Sequence, residues 1–173
     1  MSELKSLFKY LAVALVIVVG GYLVWSNFVK PDETGEIGAN MGDTLLDQEI
    51  VGIFGEKIQF SDYRGSILVI DFMAPWCPPC KDQIPILREI ETVPGVEVLT
   101  INMDYRYNMT SLAEFAADEG ITWFFGHSPM TALEFEVSAI PTILVVDQNG
   151  IVIHRGFMTT FNEFNSIISP LLG

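Results

Sequence analysis

The sequence predicts an α/β domain with a mixed central sheet flanked by helices, preceded by one N-terminal transmembrane helix. Three observations predict it. Ile67–Phe72 and Val96–Asn102 are near-continuous apolar runs, the character of strands buried on both faces of a sheet. Helix-period segments alternate with such runs, and the chain closes with a hairpin and a last helix. At the other end, Tyr10–Val29 reads YLAVALVIVVGGYLVWSNFV, charge-free and long enough to span a bilayer.

The elements follow in order. Residues 1–9 are a short tail, 10–29 the transmembrane signal anchor, and 30–40 a polar, acidic linker containing PDETGEIGAN. A cleaved signal peptide would have a shorter apolar core and a small-x-small site. Here the run ends in Trp25, Ser26, Asn27, Phe28, Val29 and Lys30. Lys5 and Lys9 before the span, against Lys30 followed by acids, favour a cytoplasmic N-terminus with the rest outside the membrane.

The domain is expected over 41–173. Leu45–Phe60 reads as a hairpin turning at Gly55-Glu56, and Ser61–Gly65 as a capped turn. After the Ile67–Phe72 strand, a helix starts at Cys77–Pro79 and runs to about Glu91, with Pro85 inside it. Thr110–Glu119 presents Leu112, Phe115 and Ala116 on one face, and Gly120 stops it. A strand over Ile121–Phe125 and a short helix over Pro129–Phe135 follow. Thr142–Val146 and Ile151–Arg155 flank the turn at Asn149-Gly150. Phe161–Leu171 is the closing helix.

The chain of 173 residues carries a net charge of −13. Residues 31–173 hold six Lys or Arg against 21 of the 22 acids, a balance of −15. Nucleic acid is thereby excluded as a partner class. The acids are scattered, which reads as a solvated surface that stays off anionic lipid.

Cys77-Pro78-Pro79-Cys80 holds the only two cysteines, directly after Trp76. A thiolate that attacks a disulfide and a neighbour that resolves the mixed disulfide need this spacing. Half a zinc site has the same spacing, but no second pair exists and His127 and His154 do not form an H-x3–5-H pair, so no metal is expected. A thiolate at a helix start is stabilised by the dipole and by free N–H groups. Pro78 and Pro79 have none, leaving those of Cys80 and Lys81. That poor supply, with the acidic surroundings, points to a reductant rather than an oxidant.

The segment from Val69 through Asp71, Trp76, Cys77 and Cys80 to Lys81 resembles the active-site segment of the thioredoxin superfamily. Ile140-Pro141-Thr142, with its apolar strand and Asp147–Gly150, resembles the superfamily's cis-proline segment. The N-terminal hairpin with Phe60–Gly65, and the extra helix and strand before Pro141, are similar to the membrane-anchored, extracytoplasmic TlpA/ResA branch. The resemblance covers about residues 41–173 and implies a thioredoxin-like fold. It implies that Cys77 is the exposed nucleophile and Cys80 the resolving thiol. It implies that Pro141 is cis and sets the Ile140 backbone against the substrate, and that Trp76 shields the active-site face. Trp76, Pro78, Pro79, Ile140 and Pro141 are the expected substrate-binding residues.

Asp71 stands where thioredoxins carry a buried acid. A desolvated carboxyl there would have a raised pKa and could take the proton of Cys80. The alternative is a strand-end Asp turned to water. Three positions depart from the pattern: Thr100 where a Lys is usual, Gln83 where some ResA-like proteins carry Glu, and Met73 for the usual Trp.

Two function classes follow; a peroxidase is a third option, but nothing in the sequence resembles its Thr-x-x-Cys site. The first is an extracytoplasmic, membrane-anchored thiol–disulfide oxidoreductase without cofactor. Its partners would be disulfide-containing client proteins, apocytochrome c among the candidates, and a transmembrane electron-donor protein. The second is a copper or other metal carrier on the same scaffold, using two thiolates and a His. A disulfide oxidase, with the electron flow reversed, or an isomerase, with no net electron flow, is the variant of the first.

Overall fold

The computed structural model describes residues 35–157 and 160–172. The expected tail, the transmembrane anchor at 10–29 and the first part of the linker lie outside the described residues. Among the described residues, no helix is long and apolar enough to cross a membrane.

Two short strand pairs open the domain. β1 (Ile37–Gly38) runs parallel to β2 (Thr44–Leu45), and β3 (Glu49–Val51) is antiparallel to β4 (Lys57–Gln59). The sequence places Ile37–Asn40 in the linker; the structure takes them into the domain. Ala39 is buried in the core, and its carbonyl accepts from Arg155 Nη1 at 2.9 Å. A 3-10 turn at Phe60–Tyr63 leads into the sheet.

The central sheet contains β5 (Ile67–Met73), β6 (Val96–Asn102), β7 (Phe124–His127), β8 (Thr142–Val146) and β9 (Val152–Gly156), in the order β7-β6-β5-β8-β9. β5, β6 and β7 are parallel, and β8 and β9 antiparallel. Four helices pack around it: α1 (Pro78–Glu91), α2 (Met109–Glu119), α3 (Pro129–Glu134) and α4 (Phe161–Ile168).

Side-chain alternation sorts the core into two layers. Ile67, Val69, Val96, Val98, Ile143 and Val145 lie with Leu87 and Ile90 of α1 and Phe164 and Ile168 of α4. Leu68, Ile70, Phe72, Leu99, Ile101 and Leu144 pack on Phe60, Ala132 and Phe135. All seven residues of β5 are buried, which is why its sequence shows no apolar–polar alternation. Each such aliphatic side chain contributes about 1.5–3 kcal/mol on full burial. Asp71 shares the parity of Ile67 and Val69, so it points to the α1 side.

Three expected boundaries move. The strand expected at Ile121–Phe125 is β7, three residues later at its start. Gly120 closes α2 at φ 66, and the Ile121 N–H is used on Ala116 O at 2.8 Å. Ladder pairing begins only at Phe124, opposite Leu99. The strand expected from Ile151 starts at Val152, because the Ile151 N–H bonds Asp147 Oδ1 inside the turn. The closing helix is α-helical only to Ile168 and finishes as a 3-10 turn over Ser169–Leu171, at Pro170.

The segment before β5 reaches both outer strands. Gly42 N–H donates to Val152 O at 2.8 Å and Val152 N–H to Asp43 O at 2.9 Å. On the far side Ile53 N–H donates to Phe125 O at 2.8 Å, and Gly52 bridges to Gly126. A Cβ on Gly126 would meet Ile50 Cγ2 at 2.5 Å, so this approach needs glycine.

Candidate active site

Cys77 is the N-cap of α1, and Pro78 and Pro79 fill the first helical positions, where a missing N–H costs little. The Cys80 N–H donates to Cys77 Sγ at 3.2 Å. The Lys81 N–H goes instead to the Cys77 carbonyl at 3.2 Å. One N–H reaches the sulfur, where the sequence left two available. Cys77 and Cys80 are joined as a disulfide, with their Cα atoms 5.3 Å apart.

The resemblance implies an exposed Cys77; the structure corrects this for the disulfide form. Cys77 is 3% exposed and Cys80 is fully buried. Ile53, Met73, Leu112 and Phe125 pack in the same cluster, with Ile140 against it. The Ile140 carbonyl stands 3.9 Å from Cys77 Sγ, a packing contact, since a disulfide sulfur carries no proton. The Ile140–Pro141 peptide is cis. Of the other motif residues, Trp76 and Pro78 are exposed, Pro79 and Ile140 half-buried, and Pro141 buried.

Asp71 is fully buried, which removes the water-facing alternative. Its register partner on β6 is Thr100, whose hydroxyl donates to Asp71 Oδ2 at 3.3 Å. Asp71 Oδ1 has no hydrogen-bond partner. Burial pushes the carboxyl up to a pKa of about 7, with the Thr100 hydroxyl partly opposing. Thr100 Oγ1 in turn accepts from Trp123 Nε1 at 2.9 Å. Gln83, on the buried side of α1, is fully enclosed.

A second carboxylate, which the sequence reading does not single out, stands on the other side of the motif. Asp104 Oδ2 accepts from Trp76 Nε1 at 2.6 Å. Arg106 grips both of its oxygens through Nε at 3.0 Å and adds its backbone N–H at 2.9 Å. The Arg106 guanidinium also lies over the Trp76 ring, 5.9 Å from the centroid. These donors, Arg106 first, hold the Asp104 carboxyl well below the usual carboxylate range. Beside this clamp opens a cavity of about 420 Å³, lined by Trp76, Met103, Tyr105, Arg106, Ala139 and Ile140. The available signal was an Asp-x-Arg spacing just past the carboxyl end of a buried parallel strand, where α/β sheets place ligand sites.

The Asn102 amide ties this loop down. Its Nδ2 donates to Asp104 O at 2.9 Å and its Oδ1 accepts from Asp104 N–H at 3.3 Å, which fixes the amide orientation. Nδ2 also meets His127 Nδ1 at 2.8 Å, so that ring nitrogen is the acceptor. Burial pushes the His127 pKa down. The other histidine, His154, is on β9. Among the described residues, no group of three or more His, Cys, Asp or Glu side chains is placed to hold a metal ion.

The family profile described as AhpC/TSA matches residues 41–155. The chain belongs to the AhpC/TSA family. Among its relatives, a thiol-disulfide oxidoreductase ResA of Geobacillus kaustophilus (strain HTA426) is 28% identical over 167 residues, 92% of this chain and 92% of that protein. The thioredoxin-like protein YneN of Bacillus subtilis (strain 168) is 27% identical over 158 residues, covering 87% of this chain and 92% of the relative. Among solved structures, a thiol:disulfide interchange protein of the thioredoxin family from Chlorobium tepidum TLS has a TM-score of 0.65 at 21% identity, covering 73% of this chain and 94% of that one. StoA from Bacillus subtilis has a TM-score of 0.60 at 20% identity, covering 70% and 95%. These likenesses establish the thioredoxin-like fold expected from the motifs.

Proposed function

We propose that this chain is a thiol–disulfide oxidoreductase that reduces disulfides of client proteins through Cys77 and Cys80. The observation that carries the reading is the Cys77–Cys80 disulfide at the start of α1, packed against the Ile140 carbonyl beside the cis proline. The names of the relatives support the activity class.

In the reduced protein, Cys77 thiolate attacks one sulfur of the client disulfide. The client S–S bond breaks, and its second sulfur leaves with the electron pair. Cys80 then gives its proton to Asp71 and attacks Cys77 Sγ. The mixed disulfide breaks, the Cys77–Cys80 bond forms, and the remaining client sulfur leaves as thiolate. Two electrons pass from the dithiol to the client. A carboxyl with a pKa near 7 is suited to accept that proton at neutral pH. Trp76, Pro78, Pro79, Ile140 and Pro141 form the client-facing surface in this reading.

The direction rests on the thiolate of Cys77. A single N–H reaches its sulfur, so the reduced form is less stabilised than at a site rich in donors. The potential should lie nearer to thioredoxin, about −270 mV, than to DsbA, about −120 mV. The placement is read from the sequence: residues 10–29 anchor the chain, 1–9 stay cytoplasmic, and the domain works outside. Electrons would then come from a transmembrane donor protein, and apocytochrome c fits as a client.

The test is a Cys80→Ser variant in cells, with mass spectrometry of what it captures. Accumulated mixed disulfides at Cys77, absent in Cys77→Ser, are expected. Equal capture by both variants would count against the assignment. A glutathione titration giving a potential above about −180 mV would reverse the direction.

A further inference from the structure

We propose that Trp123 and Thr100 are positioning residues: a two-link hydrogen-bond chain that ties Asp71 Oδ2 and leaves Oδ1 as the oxygen that exchanges the proton with Cys80. The proposal deepens the reading of Asp71 above and rests on it.

The direction of each link follows from chemistry. An indole N–H can only donate, so Thr100 Oγ1 is the acceptor of the 2.9 Å bond from Trp123. That occupies the lone-pair side of the hydroxyl. Its one proton is turned to Asp71 Oδ2, at 3.3 Å. Thr100 is 1% exposed, so the hydroxyl is shielded from bulk solvent. Asp71 and Thr100 are register partners across β5 and β6, and Trp123 directly precedes β7, whose first residue pairs with Leu99. Two neighbouring strands and the residue just before the third therefore each supply one member. The arrangement leaves one carboxyl oxygen held and the other, Oδ1, buried without a partner. Buried polar atoms are nearly always satisfied, and an exception at a reaction centre calls for a role.

The Thr100 hydroxyl donates to the carboxyl, and Gln83 is the buried polar side chain on α1. The β8 residue paired with Asp71 is Ile143, and neither β5 nor β8 carries another charge. The charged residues of α1 (Lys81, Asp82, Arg88, Glu89, Glu91), Glu97 of β6 and Glu163 of α4 are all on exposed positions. On the buried side the titratable groups are the thiols of Cys77 and Cys80. A donor to the carboxylate favours its charged form, so the hydroxyl offsets part of the upward push from burial.

The test uses the full chain, reduced, with an aromatic disulfide reagent, dithionitrobenzoate, as the client probe. The first coloured thiolate reports attack by Cys77 and the second reports resolution by Cys80. Thr100→Val should move the pH midpoint of the second phase up by about one unit, the size expected for a hydrogen bond to a charged group. Thr100→Ser should restore it, and Trp123→Phe should move it up by less. The indole ¹⁵N–H resonance of Trp123 should titrate with the same midpoint in the wild type and lose that titration in Asp71→Asn and Thr100→Val. If Thr100→Val does not fold, Trp123→Phe and this resonance in Asp71→Asn decide. Unmoved midpoints in Thr100→Val and Trp123→Phe, with Asp71→Asn still removing the titration, would overturn the positioning chain and leave Asp71 as the base. An Asp71→Asn profile identical to wild type would overturn both.

Discussion

Asp71 and Asp104 are both carboxylates with little or no exposure, on neighbouring strands or just beyond, and their environments drive them apart. Asp71 is fully enclosed, has one hydroxyl donor, and is pushed up to a pKa of about 7. Asp104 is 9% exposed, receives Arg106, Trp76 and a backbone N–H, and is held well below the usual range. Burial alone does not decide the charge of an acid; the count and charge of its donors do. The carboxyl on β5 thus changes charge near neutral pH. Asp104 keeps a fixed charge and holds Trp76 still.

The largest effect expected from this contrast is at Asp71. Between its unfolded pKa of 3.8 and its folded value of about 7, the folded protein keeps a proton that the unfolded chain releases. Stability therefore falls as pH rises through that window, by at most about 4 kcal/mol at 1.36 kcal/mol per unit. Asp71→Asn should recover about 3–4 kcal/mol at pH 8 and almost nothing at pH 4, read by urea denaturation of the oxidised protein. The same variant should slow the resolving step about 10²-fold at neutral pH. Equal stability of the two proteins at both pH values would break the contrast.

Asp104→Asn should do the opposite at a smaller scale. Its lowered pKa contributes stability that is present above the ordinary carboxylate value and lost as pH falls through the folded one. The variant should lose about 1–3 kcal/mol at pH 7 and approach the wild type in acid. With Trp76 released, KM for a peptide disulfide should rise while the pH midpoint of resolution stays in place. A moved midpoint would mean that the two acids are coupled. The smallest effect belongs to Arg106→Lys, which keeps the charge and loses the fork. Arg106 is 63% exposed on its side chain, so the expected fall in Tm by thermal denaturation is small.

What the sequence made legible was local or periodic. β6, β8 and α1 stand where apolar runs and the Cys-Pro-Pro-Cys start place them, and Gly120 ends its helix as expected. Asp71 was legible as a match to a known pattern and Thr100 as a departure from it, and the structure adds the bond between them. Contacts between residues far apart in sequence were not legible. The Asp-x-Arg spacing pairs Asp104 with Arg106, but nothing in the sequence joins Trp76 to them before the strand ends are brought together, and Trp123 reads only as one aromatic among many. The cover over Cys77 comes from Ile53, Leu112, Phe125 and Ile140, which belong to four separate segments.

The N-terminal segment that meets β9 through Gly42 and Asp43, and β7 through Gly52 and Ile53, bears on how such a protein handles its clients. An enzyme that meets incompletely folded chains risks being joined by them, because extended peptide adds readily to any free strand. Here part of each rim of the sheet is already taken by the protein's own backbone. Extended peptide therefore finds fewer free backbone groups along those stretches of the rim. The segment thereby works against adhesion at those two rims.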